Sequence, residues 1–234
     1  MAKKKGRRIL RFLLINVPLA FLLITVSDVL IHKWLPVRVT PLMVKRMVEF
    51  KDEDTFNTQK KWVSIDEISP AMMKAVIASE DNRFEEHNGF DFKELKKMAK
   101  DHAEKGKKIR GCSTISQQTA KNCFTWCGDN LFRKISEAYW TWLIESIWGK
   151  ERIMEVYLNV IEMGKGIYGV EAAAQAYFKE PASKLTLQQS ALIAASLPDP
   201  LHRSVTKPSA YMKKRQKDIV SLTSKLRYPD WIKK

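Results

Sequence analysis

Cysteine is scarce, with three in 234 residues. So small and odd a number excludes a disulfide scaffold, and no further ligands stand near Cys123 and Cys127 at the spacing of a metal site. Glycine and proline, nine of each, are too few for a collagen-like or low-complexity chain. There is no glycine-rich loop of the nucleotide-binding kind, no internal repeat and no convincing run of alternating strand residues. Acidic residues are also short, 26 against 41 basic, which leaves a net charge of +15. That excess points to an anionic partner without choosing among nucleic acid, lipid headgroups and phosphorylated substrates. Hydrophobic residues at 45% and charged residues at 29% argue against global disorder. The length suits one good-sized domain, or at most two small ones.

The position of the charge narrows the choice. Lys3, Lys4, Lys5, Arg7, Arg8 and Arg11 precede an apolar run from Phe12 that extends to Ile31, with Asp28 near its end. Counted from Ile9 the run is 23 residues, and a bilayer needs about 20. The flanking cations predict an N-terminus inside the cytoplasmic membrane and everything after Ile31 on its outer, periplasmic side. A cleaved signal peptide would need a small-x-small site after the run, and none is present. The expected organisation is a basic tail at 1–11, a membrane anchor at 12–31, a connector at 32–61 and an outer domain at 62–234. Without the tail, 35 basic residues face 26 acidic ones. A basic domain held at a membrane suits anionic headgroups or a phosphorylated lipid, and nucleic acid is excluded as a partner on that side.

From Ser69 onward the pattern is helical, so the class is mainly α. Ser69-Pro70 reads as an N-cap and first-turn proline, opening a helix with Met72, Met73, Val76 and Ile77 on one stripe that runs out near Glu80. Ile135, Ala138, Tyr139, Trp142, Leu143 and Ile147 predict a further helix ended by Gly149; with Trp140 and Ile144 on its other side, it is expected to be buried nearly all round. Trp126, Trp140, Trp142 and Trp148 are expected in the core. A helix through Ile153, Val156, Tyr157 and Val160 follows, then Val170–Phe178 after three glycines. Thr186 and Gln189 form a capping box before Leu187–Ser196, and a basic helix starts near Pro208.

Three stretches carry candidate chemistry. Glu80 ends an apolar helix, where the negative end of the helix dipole and shielding by Phe84 both raise a carboxyl toward the range useful to a general acid or base. A solvated acidic helix end has the same composition, and the residues leave both readings open. In the stretch Gly111 to Asn122, small residues and hydroxyls precede a polar helix whose first N–H groups can meet an anion. Gln118, Lys121 and Asn122 share one face of it, as for a lined cleft or a plain exposed helix. Arg133 and Glu137, four apart, are either a surface ion pair or a charged pair inside an aromatic helix.

Taken in order, these blocks resemble the peptidoglycan glycosyltransferases, glycosyltransferase family 51, in their monofunctional membrane-anchored form. The resemblance runs from Trp62 to about His202 through Glu80-Asp81 with Phe84, His87 and Gly89, then Gly111 with Ser113-Thr114-Ile115, Gln117-Gln118 and Lys121-Asn122. It continues through Arg133-Lys134 with Glu137, then Lys150, Ile153 and Tyr157-Leu158-Asn159, and finally Gly164, Gly169, Ala172-Ala173 and Tyr177-Phe178. The segment Pro36 to Arg46 looks like the connector of the monofunctional members, and no transpeptidase domain is expected after Lys234.

The resemblance implies a lysozyme-like all-α fold with a smaller membrane-facing lobe. It also implies inverting transfer from a glycan on undecaprenyl pyrophosphate to the 4-hydroxyl of lipid II. Glu80 matches the general base and Glu137 the second essential acid, orienting cations or a divalent ion such as Mg2+ or Mn2+. Lys121 and Arg133 match the cations that meet the leaving pyrophosphate. Ser113, Thr114, Gln118 and Asn122 would line the donor site, while Asp81, Phe84 and His87 hold the first motif in shape. No nucleotide or organic cofactor is implied; lipid II, the membrane and proteins of wall synthesis and division are the implied partners. Cys112 stands where the family often has a second glycine. Phe90, Phe92, Leu95 and Met98 suit an interfacial face among lysines. A lytic enzyme of the same fold, or a non-catalytic wall-building scaffold, is the alternative.

Overall fold

The computed structural model describes residues 2–54, 56–106, 113–126, 128 and 131–232, with side chains from residue 12 onward. It divides into two compact units, Met1–Pro36 and Val37–Lys234. The first is a single helix, α1 (Ala2–Trp34), whose stretch Phe12–Trp34 has a mean hydropathy of 2.2 and is long and apolar enough to cross a bilayer. Asn16, Thr25 and His32 turn their polar atoms back onto the helix itself, which suits an apolar surrounding. Asn16 Nδ2 donates to Phe12 O at 2.8 Å, and Thr25 Oγ1 donates to Phe21 O at 2.9 Å. His32 Nδ1 lies 3.1 Å from Asp28, which gives that acid a partner within its own helix.

The second unit begins with a helix that the expected connector did not include. Thr40 caps α2 (Pro41–Glu49), accepting from Met43 N, with Pro41 at the first turn. The unit continues through α3 (Pro70–Glu80), α4 (Phe92–Lys105), α5 (Ile115–Phe124), α6 (Leu131–Ile147) and α7 (Lys150–Val160). It ends with α8 (Val170–Phe178), α9 (Leu187–Ser196) and α10 (Ala210–Thr223). A small sheet joins β1 (Gln59–Lys60), β3 (Ile167–Tyr168) and β2 (Glu162–Gly164) in that order, parallel across β1/β3 and antiparallel across β2/β3. Strands of two or three residues are too short to show alternation, which is why the sequence pattern does not reveal them.

Two helical groupings build the core. α3 packs against α9 and α10, and α5 packs against α6 and α7. Met72, Met73, Ala75, Val76, Ile77 and Ala78 make α3 buried on nearly every side. α6 is the opposite case and corrects the expectation. Glu137, Thr141, Leu143 and Ile144 are buried, while Leu131, Phe132, Ile135 and Trp142 are exposed. An aromatic stripe buries only the face that another helix covers, and α5 covers one. Among the tryptophans, Trp148 is core and Trp140 stacks on Phe124 at 4.5 Å, but Trp126 is 72% and Trp142 57% exposed. On α4, Phe92 and Leu95 are exposed and Met98 half-buried, as an amphipathic surface helix requires.

Candidate active site

A cleft of about 400 Å³ opens in the second unit. Gln118, Lys121 and Asn122 of α5 line it with Arg133 of α6, Lys45 and Arg46 of α2, and Glu162 of β2. The shared face expected of Gln118, Lys121 and Asn122 is therefore a cleft wall. Four cations against one carboxylate make the cleft a place for an anion.

Glu80 is the last residue of α3, half-buried and joined to the cleft through Gln118. Gln118 Nε2 donates to Glu80 Oε2 at 3.1 Å, and Ser79 Oγ donates to Oε1 at 3.0 Å. Burial pushes the Glu80 carboxyl up; the bonds from Gln118 and Ser79, then the charges of Arg215 and Arg203, oppose it. Both arginines are fixed by backbone carbonyls, Arg215 Nη2 on Ser79 O at 3.1 Å and Arg203 Nη1 on Ala195 O at 3.0 Å.

The rest of the first motif forms a packed bracket. Asp81 Oδ1 accepts from His87 Nε2 at 2.9 Å, and its Oδ2 accepts from Ile115 N at 3.1 Å. Thr114 Oγ1 caps α5 by accepting from Gln117 N and donates to Gly89 O at 2.7 Å. Gly89 has φ +85°, and a Cβ there would stand 2.7 Å from Thr141 Cγ2, so this link needs glycine. Phe84 is buried beneath the Lys150 ammonium, 4.5 Å from the ring centroid, and Lys150 also donates to His87 O and Glu145. Asp81, Phe84, His87 and Thr114 thus face inward and hold the frame. The anion expected at the start of α5 is met by the chain's own Asp81. Ser113 is half-buried, and its carbonyl accepts from Gln118 Nε2 at 3.4 Å. Gly111, Cys112 and Cys127 lie outside the described residues.

Glu137, 2% exposed, resolves the choice between a surface pair and a buried one. Arg133 Nη1 donates to its Oε2 at 2.9 Å, and Lys134 Nζ binds its Oε1. Each carboxylate oxygen has a cation, as suits a counterion that aims Arg133. Among the described residues, Asp81, His87 and Asp91 are close enough to share an ion. Their oxygens instead accept from Ile115 N, Glu94 N and Arg83.

Sequence reasoning missed Lys45, Arg46 and Glu162 in the cleft, and Arg203 and Arg215 near Glu80. Thr40-Pro41 was a legible helix start that would have exposed α2. Arg46 binds Glu162 through Nε at 3.0 Å and Nη2 at 3.0 Å, and also binds Glu49. Nothing local marks Arg203 and Arg215 among the many C-terminal cations.

A half-buried carboxyl thus stands beside a cationic cleft in a helical frame. Residues 46–223 match the family described as Transglycosylase, and the chain belongs to that family. It is 54% identical over 217 residues to a biosynthetic peptidoglycan transglycosylase of Bacteroides thetaiotaomicron, covering 92% of this chain and 87% of that one. A protein of the same name from Caulobacter vibrioides is 52% identical over 221 residues, covering 94% of each chain. One from Escherichia coli is 50% identical over 183 residues, covering 77% of this chain and 76% of the other.

Proposed function

We propose that this transglycosylase polymerises lipid II into peptidoglycan glycan strands at the outer face of the cytoplasmic membrane. The observation that carries the reading is the placement of Glu80, bonded to Gln118 on the wall of a cleft that also holds Lys121 and Arg133. In the reaction the acceptor 4-hydroxyl oxygen attacks the anomeric carbon of the donor sugar, and its proton passes to Glu80. The bond from that carbon to the lipid pyrophosphate breaks with inversion, and the electron pair leaves on the pyrophosphate. Lys121 and Arg133 meet the charge that develops there, where fixed cations lower the barrier most. Glu137 aims Arg133 by the 2.9 Å pair described above. Gln118 and Asn122 line the donor side of the cleft. The basic residues in the first turns of α1 support an inside N-terminus, and the anchor would keep the enzyme in the plane of its lipid substrate, beside other proteins of wall synthesis and division.

The raised Glu80 carboxyl would also serve an acid that cleaves glycan, but such an enzyme has no use for the cleft's cations. Full-length protein in detergent, given labelled lipid II, should make lysozyme-sensitive polymer, and Glu80→Gln should make none. Polymer from both would move the base elsewhere. Shortening of finished glycan, without polymer, would establish the lytic reading instead.

A further inference from the structure

We infer that Tyr157 is a positioning residue: through the Gln118 side-chain amide it holds the Glu80 carboxylate in the role of hydrogen-bond acceptor. The inference rests on the reading of Glu80 as the base. Tyr157 is on α7 and fully buried; its Oη donates to Gln118 Oε1 at 3.3 Å. Gln118 on α5 then donates to Glu80 on α3 at 3.1 Å. Three helices thus place three polar side chains in series.

The series has a direction. An amide offers an acceptor at one atom and donors at the other, and the two ends have nearly the same shape. Whichever end faces Glu80 decides which protonation state it favours. Burial, then the neighbouring Glu80 and Asp81 carboxylates, hold the Tyr157 phenol well above its ordinary range, so it keeps a proton to give. The Gln118 nitrogen is committed to two acceptors, Glu80 and Ser113 O, which leaves the amide oxygen to accept from Tyr157 and lets the hydroxyl hold the far end of the amide in place. Both amide hydrogens are then placed, one on Glu80 and one on Ser113 O at 3.4 Å. Turning the amide would set its oxygen against a carboxylate and a carbonyl together. The Ser79 hydroxyl gives no such direction, because it can rotate between Glu80 and Ala194 O, 3.4 Å away. Arg203 and Arg215 also act on Glu80, by charge alone and from the C-terminal side. Among the described residues, the pinned amide is therefore the hydrogen bond to Glu80 that both favours the carboxylate and cannot turn away, in a site where burial favours the acid.

The test is the titration of the Glu80 carboxyl in full-length, detergent-solubilised protein carrying 13C-carboxyl glutamate. The Glu80 signal is identified by its loss in Glu80→Gln. Tyr157→Phe removes only the hydroxyl, and Gln118→Met removes the amide at similar volume. Both should move the Glu80 midpoint upward by roughly half a pH unit or more. The acid limb of the polymerisation rate should move with it in Tyr157→Phe. An unmoved midpoint in Tyr157→Phe overturns the inference, even where the rate falls, since packing alone would lower rate without moving the titration. Should Tyr157→Phe fail to fold, an unmoved midpoint in Gln118→Met overturns it equally. The titration needs no turnover, so absence of polymer from the wild type would count against the proposed reaction and leave the relay judged by its own readout.

Discussion

At Glu80 the raised carboxyl that the proposed base requires opposes the need for a stable fold. Burial raises this group in the folded chain above its value in the unfolded one, so the unfolded state ionises first as pH rises. The native state is then penalised above the ordinary carboxylate range, and the penalty vanishes on acidification below it. Glu80→Gln should accordingly melt higher than wild type at pH 7, with the gap closing near pH 4; thermal unfolding at both values checks it. The cations are read by rate. Lys121→Ala and Arg133→Ala should each lower kcat/KM on the order of 10²–10³. Glu137→Gln should lower it in the same direction, because Arg133 loses the partner that aims it. Identities at this scale were legible from the blocks of motif residues. Orientation was not: Thr114 and Gln118 stand four apart, yet one caps a helix against Gly89 and the other lines the cleft.

Among the elements, helix starts were the most legible features, because a cap is a contact within one turn. Ser69 accepts from Ala71 N, and Thr186 and Gln189 form the expected reciprocal box. α2 is held differently, by a pair more than a hundred residues apart in the chain. Arg46 clasps Glu162, whose carboxyl burial pushes up and the guanidinium pulls down. Arg46→Met would leave that carboxylate without its main partner and should cost about 3 kcal/mol, the low end for buried pairs because Arg46 also borders the cleft. Chemical denaturation measures the loss. Replacing both residues by apolar ones should recover most of it, since the pair's desolvation is then removed as well.

For the whole molecule, the anchor helix and the transglycosylase unit answer different requirements. The helix needs only length and apolarity, and the second unit has its own core. Removal of residues 1–34 should therefore leave a folded unit. Its polymer yield from lipid II in liposomes should fall on the order of 10² or more, through loss of the effective concentration that tethering supplies. Rates on detergent-dispersed substrate should fall far less. The comparison of the two substrate presentations isolates the anchor's contribution from that of the cleft.

The sequence by itself determined the long apolar N-terminal helix, the helical class and the principal helices, and it singled out Glu80, Lys121, Arg133 and Glu137 as the proposed chemical groups. Each of these is written in residues a turn or two apart, or in a run long enough to count. Tertiary structure decided what those residues face. It turned Asp81 onto the start of α5, buried Glu137 under two cations, left Trp126 and Trp142 outside, and brought Arg46 from α2 to the cleft. It also set Tyr157 behind Gln118 and Gln118 beside Glu80. The physical reason is separation: these groups meet only after helices from distant parts of the chain pack together, and no local pattern records which face each helix will lend to its neighbour.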